Sequence, residues 1–214
     1  MSTSKLEIYN AALIMCGERR LASLSEDRKP RHLLDHVWDN DGVDACLERG
    51  QWKFAMNSIK LDYDTSVTTD FGYRRSFAKP SDWVLTSAVC SDEFFTNPLI
   101  RYSDENDFWY AELDIIYVKY VSNSTDFGYD LSLWPSSFNK YVGAYFANEI
   151  VMSLAQDEEL SDRIEKRLEK FEKLAKNADA MAGPQQFPAP GRFVNSRYRG
   201  RTTRDRGSRS NLIG

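Results

Sequence analysis

Histidine and cysteine are scarce in this chain: two and three among 214 residues. Cys16, Cys46 and Cys90 share no short spacing, which argues against a disulfide framework or a zinc knuckle and leaves each as a small core residue in a reducing compartment. No stretch approaches the ~18 uninterrupted apolar residues of a membrane span, and the first 20 residues lack the basic-then-apolar order of a signal peptide. The expectation is a soluble protein not exported by that route. Also missing are a Gly-x-Ser-x-Gly elbow, a phosphate-cradling glycine loop with lysine and a dinucleotide fingerprint. Close acidic pairs such as Asp62 and Asp64 carry no catalytic weight where carboxylates are this abundant. The reading is therefore of a protein that is not an enzyme and takes no cofactor.

Charge is abundant but unevenly placed. Lys and Arg number 28 against 32 Asp and Glu, yet residues 183–214 hold seven of the cations, all arginine, and one anion. That leaves 21 cations against 31 anions in residues 1–182, a net of -10 for the body and +6 for the tail. A body of about 180 residues is long enough to bury its own core.

"SKLEIYNAALIMCG" sets Leu6, Tyr9, Leu13 and Cys16 at three- and four-residue steps, with Ser4 as cap and Gly17 as stop: a short amphipathic helix. After a "LASLSED" link, Pro30 suits a first helical turn, and a second helix is expected from about Pro30 to Arg49, with Leu33, Val37 and Leu47 inward and Gly50 ending it. From Gln51 the period changes to two. Trp52, Phe54 and Met56 alternate, then Ile59, Leu61 and Tyr63, a parity change that predicts a bulge near Asn57-Ser58. Further strands are expected in "YRRSF", "DWVLTSAV", "EFF", "LIRYS" and "LDIIYVKYV". Residues 51–129 hold 17 of the aromatic residues, an enrichment that favours strands. After Trp134-Pro135 the helical period returns, with Phe138, Val142, Phe146, Ile150 and Leu154 on one stripe and Leu160, Ile164, Leu168, Phe171 and Ala178 on a second, broken near Asp157. The predicted class is α+β: a helical scaffold from both ends, residues 1–50 and 130–182, an antiparallel β insert at 51–129, and an extended basic arm at 183–214.

His32 and His36 lie four apart on the second helix and share a face, with Asp35 and Asp39 as possible oxygen donors. A metalloprotease helix needs glutamate directly after the first histidine, and Leu33 stands there, so a solvated face is preferred to a metal-dependent hydrolase. The tail has two serious readings. Seven arginines interleaved with Phe193 and Tyr198 suit phosphate neutralisation and base stacking. Arginine also pairs bidentately with carboxylates, so Arg192, Arg197, Arg199, Arg201 and Arg204, with Phe187, Phe193 and Tyr198 as anchors, equally suit an arm that docks on an acidic protein surface.

Four stretches together resemble the head-to-tail adaptor family of tailed bacteriophages, which includes the tubular tail proteins of short-tailed phages. "IYNAALIMCGERRLASLSED" looks like that family's opening helix, ending at Gly17 and followed by a Ser-Leu link. "CLERGQWKFAMNSIKL" resembles its helix-to-strand passage, with Trp52, Phe54 and Ala55 in a Trp-x-Phe-Ala motif. "YRRSFAKPSDWVL" is similar to its aromatic strand leading into Pro80, Asp82 and Trp83, and "LWPSSFNKYVGAYFANEIVMSLAQDEEL", with Trp134 and Pro135, to its long helix with an acidic interruption. The blocks occur in family order over roughly residues 5–182. The resemblance implies a structural virion protein at the neck, assembled in the host cytoplasm and not in a membrane. It further implies a homo-oligomeric ring, typically of twelve copies, joining the portal protein to the next tail or nozzle protein, with DNA passing through without sequence-specific binding. It favours portal docking for the arm, and an acidic channel wall past which DNA slides.

Overall fold

The computed structural model describes residues 4–67, 69 and 72–183. The chain divides into two units, Met1–Met181 and Ala182–Gly214. The first unit is mixed α+β, with five helices and two small antiparallel sheets among the described residues. The arm expected at 183–214 falls outside the described residues beyond Gly183, and with it Phe187, Arg192, Phe193, Arg197, Tyr198, Arg199, Arg201 and Arg204.

Helix α1, Lys5–Met15, begins as its sequence requires. Ser4 Oγ accepts from the Glu7 N–H (3.3 Å) while Glu7 accepts from the Ser4 N–H (3.1 Å), a reciprocal capping box. It ends at Gly17, whose φ of 77° lets the Gly17 N–H reach the Ile14 carbonyl and the Glu18 N–H the Leu13 carbonyl. Tyr9, Leu13 and Cys16 are buried as the spacing predicts, and Ile8 and Ala12 widen the stripe because α1 meets two other helices.

The single helix expected from Pro30 to Arg49 is two: α2, Lys29–Asp39, and α3, Gly42–Glu48. Asn40 Nδ2 donates to the His36 carbonyl (2.7 Å), which closes α2, and Asp41 turns left-handed at φ 59°. Gly42 then passes so near α2 that a Cβ there would sit 2.4 Å from the Val37 carbonyl oxygen. Gly42→Ala is therefore expected to lower stability by about 1–3 kcal/mol, read as an earlier urea midpoint with an unchanged slope. The break also changes which residues point inward: Leu34 is fully buried, while Leu33 and Val37 are half-buried.

The strands form two sheets. In the first, β1 (Met56–Asp62), β6 (Ile115–Ser122) and β3 (Trp83–Cys90) lie in the order β1-β6-β3; in the second, β2 (Arg75–Ala78), β5 (Phe108–Ala111) and β4 (Ser103–Glu105) lie in the order β2-β5-β4. The bulge expected at Asn57-Ser58 is absent, since β1 pairs with β6 without a slip from Met56↔Val121 to Asp62↔Ile115. The parity change comes instead from a 3-10 turn at Lys53–Ala55, which delays the strand until Met56. Register shifts occur in β3, between Trp83 and Leu85 and between Thr86 and Ala88. "EFF" is not a strand but part of a turn pinned by Asp92, which accepts from the Thr96 and Asn97 N–H groups, and "LIRYS" contributes only Ser103 to β4. Strand β5 has no counterpart in the predicted set, because four successive apolar residues show no alternation.

Helices α4, Ser136–Leu154, and α5, Glu158–Met181, reproduce the two expected stripes and the break between them. Phe138, Val142, Phe146 and Ile150 are buried on α4, and Ile164 and Leu168 on α5. Ala175 is buried where Ala178 was expected, because the last turn of α5 meets Lys53 rather than apolar side chains. Helices from both ends of the chain share one core: the Cys16 thiol reaches the Ala147 carbonyl, and Gly143 lies against Ala11. Phe77, Val89, Trp109, Ile116, Val118 and Tyr120 fill a second core between the sheets. Strand β6 serves both, turning Val118 and Tyr120 to the sheets and Val121 to the helices.

Candidate functional site

Two of the sequence motifs meet in one aromatic joint. Trp52 and Phe54 lie on the passage from α3 into β1, Trp134 and Pro135 directly before α4, and their rings converge on Phe138 at centroid distances of 4.8, 4.7 and 4.9 Å for Trp52, Phe54 and Trp134. Both indoles are anchored: Trp52 Nε1 donates to the Cys46 carbonyl (3.1 Å) and Trp134 Nε1 to the Gly128 carbonyl (2.8 Å). Ala55 is wholly buried, and Pro135 supplies the extended residue that precedes the first turn of α4.

The Pro80, Asp82 and Trp83 motif lies at the start of β3 and acts differently. Asp82 accepts from the Tyr120 and Ser122 hydroxyls, and its carbonyl accepts from the Asn123 N–H (2.9 Å), so one carboxylate ties β3 to β6. Burial first, then the Asp82 charge, pushes the Tyr120 hydroxyl up to about 12. Pro80 accepts the Trp83 N–H through its carbonyl and so sets the turn.

Trp83 leads into a network invisible in the sequence. Lys79, whose side chain is 5 % exposed, pairs with Asp104, donates to the Asn106 carbonyl (2.6 Å) and lies 3.8 Å from the Trp83 ring centroid. Thr86 Oγ1 donates to Asp104 (2.6 Å) and accepts from the indole N–H groups of Trp83 and Trp109, both at 3.0 Å. Burial raises the Asp104 carboxyl, but the Lys79, Thr86 and Trp109 bonds outweigh it and leave the group below its ordinary value.

The predicted histidine pair does not converge on a common ligand. His32 bonds to Asp27 (2.7 Å) and His36 to Asn40 (2.9 Å), while Asp35 is taken by Tyr9 and Arg31. Among the described residues no group of three His, Cys, Asp or Glu is placed to hold a metal ion, and no helix is long and apolar enough to cross a membrane.

Two surface features stand out among the described residues. One is an open cleft of about 470 Å³ lined by Arg49, Gln51, Trp52, Lys176 and Asp179. Glu172 pairs along it with Arg49 (3.5 Å) and Lys176 (2.6 Å), while the Lys53 backbone N–H donates to the Asp179 carboxylate (2.9 Å) and Lys53 Nζ to the Asp179 backbone carbonyl (2.6 Å). The other is the β3–β4 loop, where the Asp92 turn holds Phe94 77 % exposed and Ile100 stands 95 % exposed. Sequence reasoning placed strands there and missed the exposure, because apolar composition alone does not tell a buried strand from a protruding loop.

No family model matches the chain, and no curated protein matches it.

Proposed function

We propose that this chain is a structural subunit of a head-to-tail adaptor ring in a tailed bacteriophage, joining the portal to the tail at the virion neck, with residues 183–214 docking on the portal. The observation that carries the reading is the aromatic joint. Trp52, Phe54 and Trp134, from two separate blocks of the resemblance, pack around Phe138, Phe54 touching both indoles, and lock the β insert to the helical scaffold. A ring of identical copies needs rigid subunits with two unlike faces. The charged outer side of α5 and the apolar Phe94–Ile100 loop are such a pair. The role is mechanical rather than catalytic.

The tail suits the same reading. Its 32 residues reach ~100 Å at ~3.3 Å per residue when extended, and modest arm contacts repeated around a ring add in avidity. Truncation before Gly183, tested against portal protein and against duplex DNA, is the direct experiment. The expected result is lost portal binding with an unchanged helical circular-dichroism signal from the body. Portal assembly that survives truncation while salt-sensitive DNA binding disappears would instead establish the arginine segment as a nucleic-acid tail.

A further inference from the structure

The turn between α4 and α5 holds one residue in a conformation it does not favour. The chain reverses over Ala155, Gln156 and Asp157, and the stretch "IVMSLAQDEEL" around them has no glycine, proline or asparagine. Gln156 takes φ 50°, the left-handed region that disfavours a residue with a Cβ by roughly tenfold in population. Alanine and glutamine are good helix formers, and Ala155 is still helical, its N–H bonded to the Val151 carbonyl at 2.8 Å. Asp157 now caps the Glu159 and Leu160 N–H groups at 3.0 and 3.3 Å. In a continuous helix those N–H groups bond instead to the carbonyls of Ala155 and Gln156, so straightening the turn orphans no backbone donor. The Asp157 cap favours the break and the left-handed Gln156 opposes it by a comparable amount, so the docking of α5 decides between a turn and one helix.

What α5 docks on lies wholly before the turn in sequence. Ile164, Leu168 and Ala175 enter the helical core, Glu172 pairs with Arg49, and the Asp179 carboxylate accepts from the Lys53 backbone N–H. The same surface is present on every copy, so it accepts α5 from another chain with the same contacts. We infer that α5 is exchanged between copies of this chain: Ala155–Asp157 straightens, α4 and α5 become one helix from Ser136 to Met181, and α5 of each copy packs on the body of the next. The continuous helix is ~70 Å long at ~1.5 Å per residue, enough to carry α5 clear of its own body. Each copy then gives one helix and receives one, a head-to-tail contact that closes where the rotation per copy allows. Short strained hinges favour such exchange. The inference does not depend on the adaptor reading.

The test uses the full chain with Arg49→Cys and Glu172→Cys together, each single variant serving as control, and a short bismaleimide to span the length of the two side chains removed, which is too long for a disulfide. Concentrated protein is cross-linked, and fractions separated by mass are run on denaturing gels. Exchange predicts cross-links between chains in the oligomeric fractions. Gln156→Gly, which relieves the left-handed residue, then shifts the population toward monomer with an intrachain cross-link, by roughly tenfold per exchanged helix. Oligomers that carry only intrachain cross-links overturn the exchange and leave the adaptor ring standing; a chain that stays monomeric at every concentration also overturns it. If the double-cysteine protein fails to fold, the mass distribution of the wild-type chain and of a chain with Gly-Ser-Gly inserted after Gln156 decides. The longer hinge must favour monomer, and equal distributions refute the inference.

Discussion

Trp52→Ala is expected to lower the unfolding free energy by about 3–5 kcal/mol, the range for deleting a large buried aromatic. Trp52 is 2 % exposed, packs at 4.8 Å from Phe138 and within about 6 Å of Phe54 and Tyr141, and bonds the Cys46 carbonyl. The cavity would open where α3, β1 and α4 converge, and rigid backbone around it limits collapse. Trp52→Phe separates the two contributions: it retains most of the packing but leaves the Cys46 carbonyl without its donor, at a cost of about 1–3 kcal/mol. Guanidinium unfolding followed by far-ultraviolet circular dichroism measures both. A loss below about 1 kcal/mol for the alanine variant would show that the joint is not a structural centre, and would weaken the adaptor reading that rests on it.

Lys79→Met should cost about 1–3 kcal/mol, because the partly exposed Asp104 carboxylate loses its charged donor and water replaces that bond only in part. The Lys79 side chain is almost fully covered and satisfied by Asp104, the Asn106 carbonyl and the Trp83 ring. Replacing both partners, Lys79→Met with Asp104→Leu, is expected to recover most of the loss, since the damage is an unpaired charge rather than a missing attraction. The pair also has a pH signature. Asp104 titrates below its unfolded value, so its contribution is complete above the ordinary aspartate pKa of about 4 and is lost as pH falls through the lowered folded value. Asp104→Asn removes that component, and its stability profile below about pH 4 should be flatter than that of the wild type. Parallel profiles for the two proteins would rule out the pair as a source of acid sensitivity.

These two sites differ in how far they could be read in advance. Trp52, Phe54 and Trp134 stand out because large aromatics beside a change of period mark a junction, and the two indoles are buried with Phe54 half-buried beside them. Lys79 and Asp104 gave no sign. They are far apart in sequence, each ordinary on a surface, and meet only because β2 and β4 flank β5 in one sheet. The helices were legible where caps and stripes agreed, as at Ser4, Gly17 and the α4–α5 break. The interruption at Asn40-Asp41 was not, since Leu33, Val37 and Leu47 fit one uninterrupted stripe as well as two short ones. The sheets were legible as a composition and not as a pairing. Aromatic enrichment identifies a β region, whereas the order β1-β6-β3 depends on contacts between residues some 60 positions apart.

The way α1 closes the helical core sets an order of events during synthesis. Cys16 reaches Ala147, Lys29 reaches Ser153 and Lys53 reaches Asp179, contacts spanning 131, 124 and 126 residues. Strands β1 to β6 lie entirely between, from Met56 to Ser122, and hold a core of their own. A ribosome delivering the chain from its N-terminus therefore releases a complete β sandwich while Ile8, Tyr9, Ala12 and Leu13 still lack α4. The first helix to emerge is among the last to be buried, and its apolar face is the surface most exposed to chaperones and to aggregation until residue 150 has appeared.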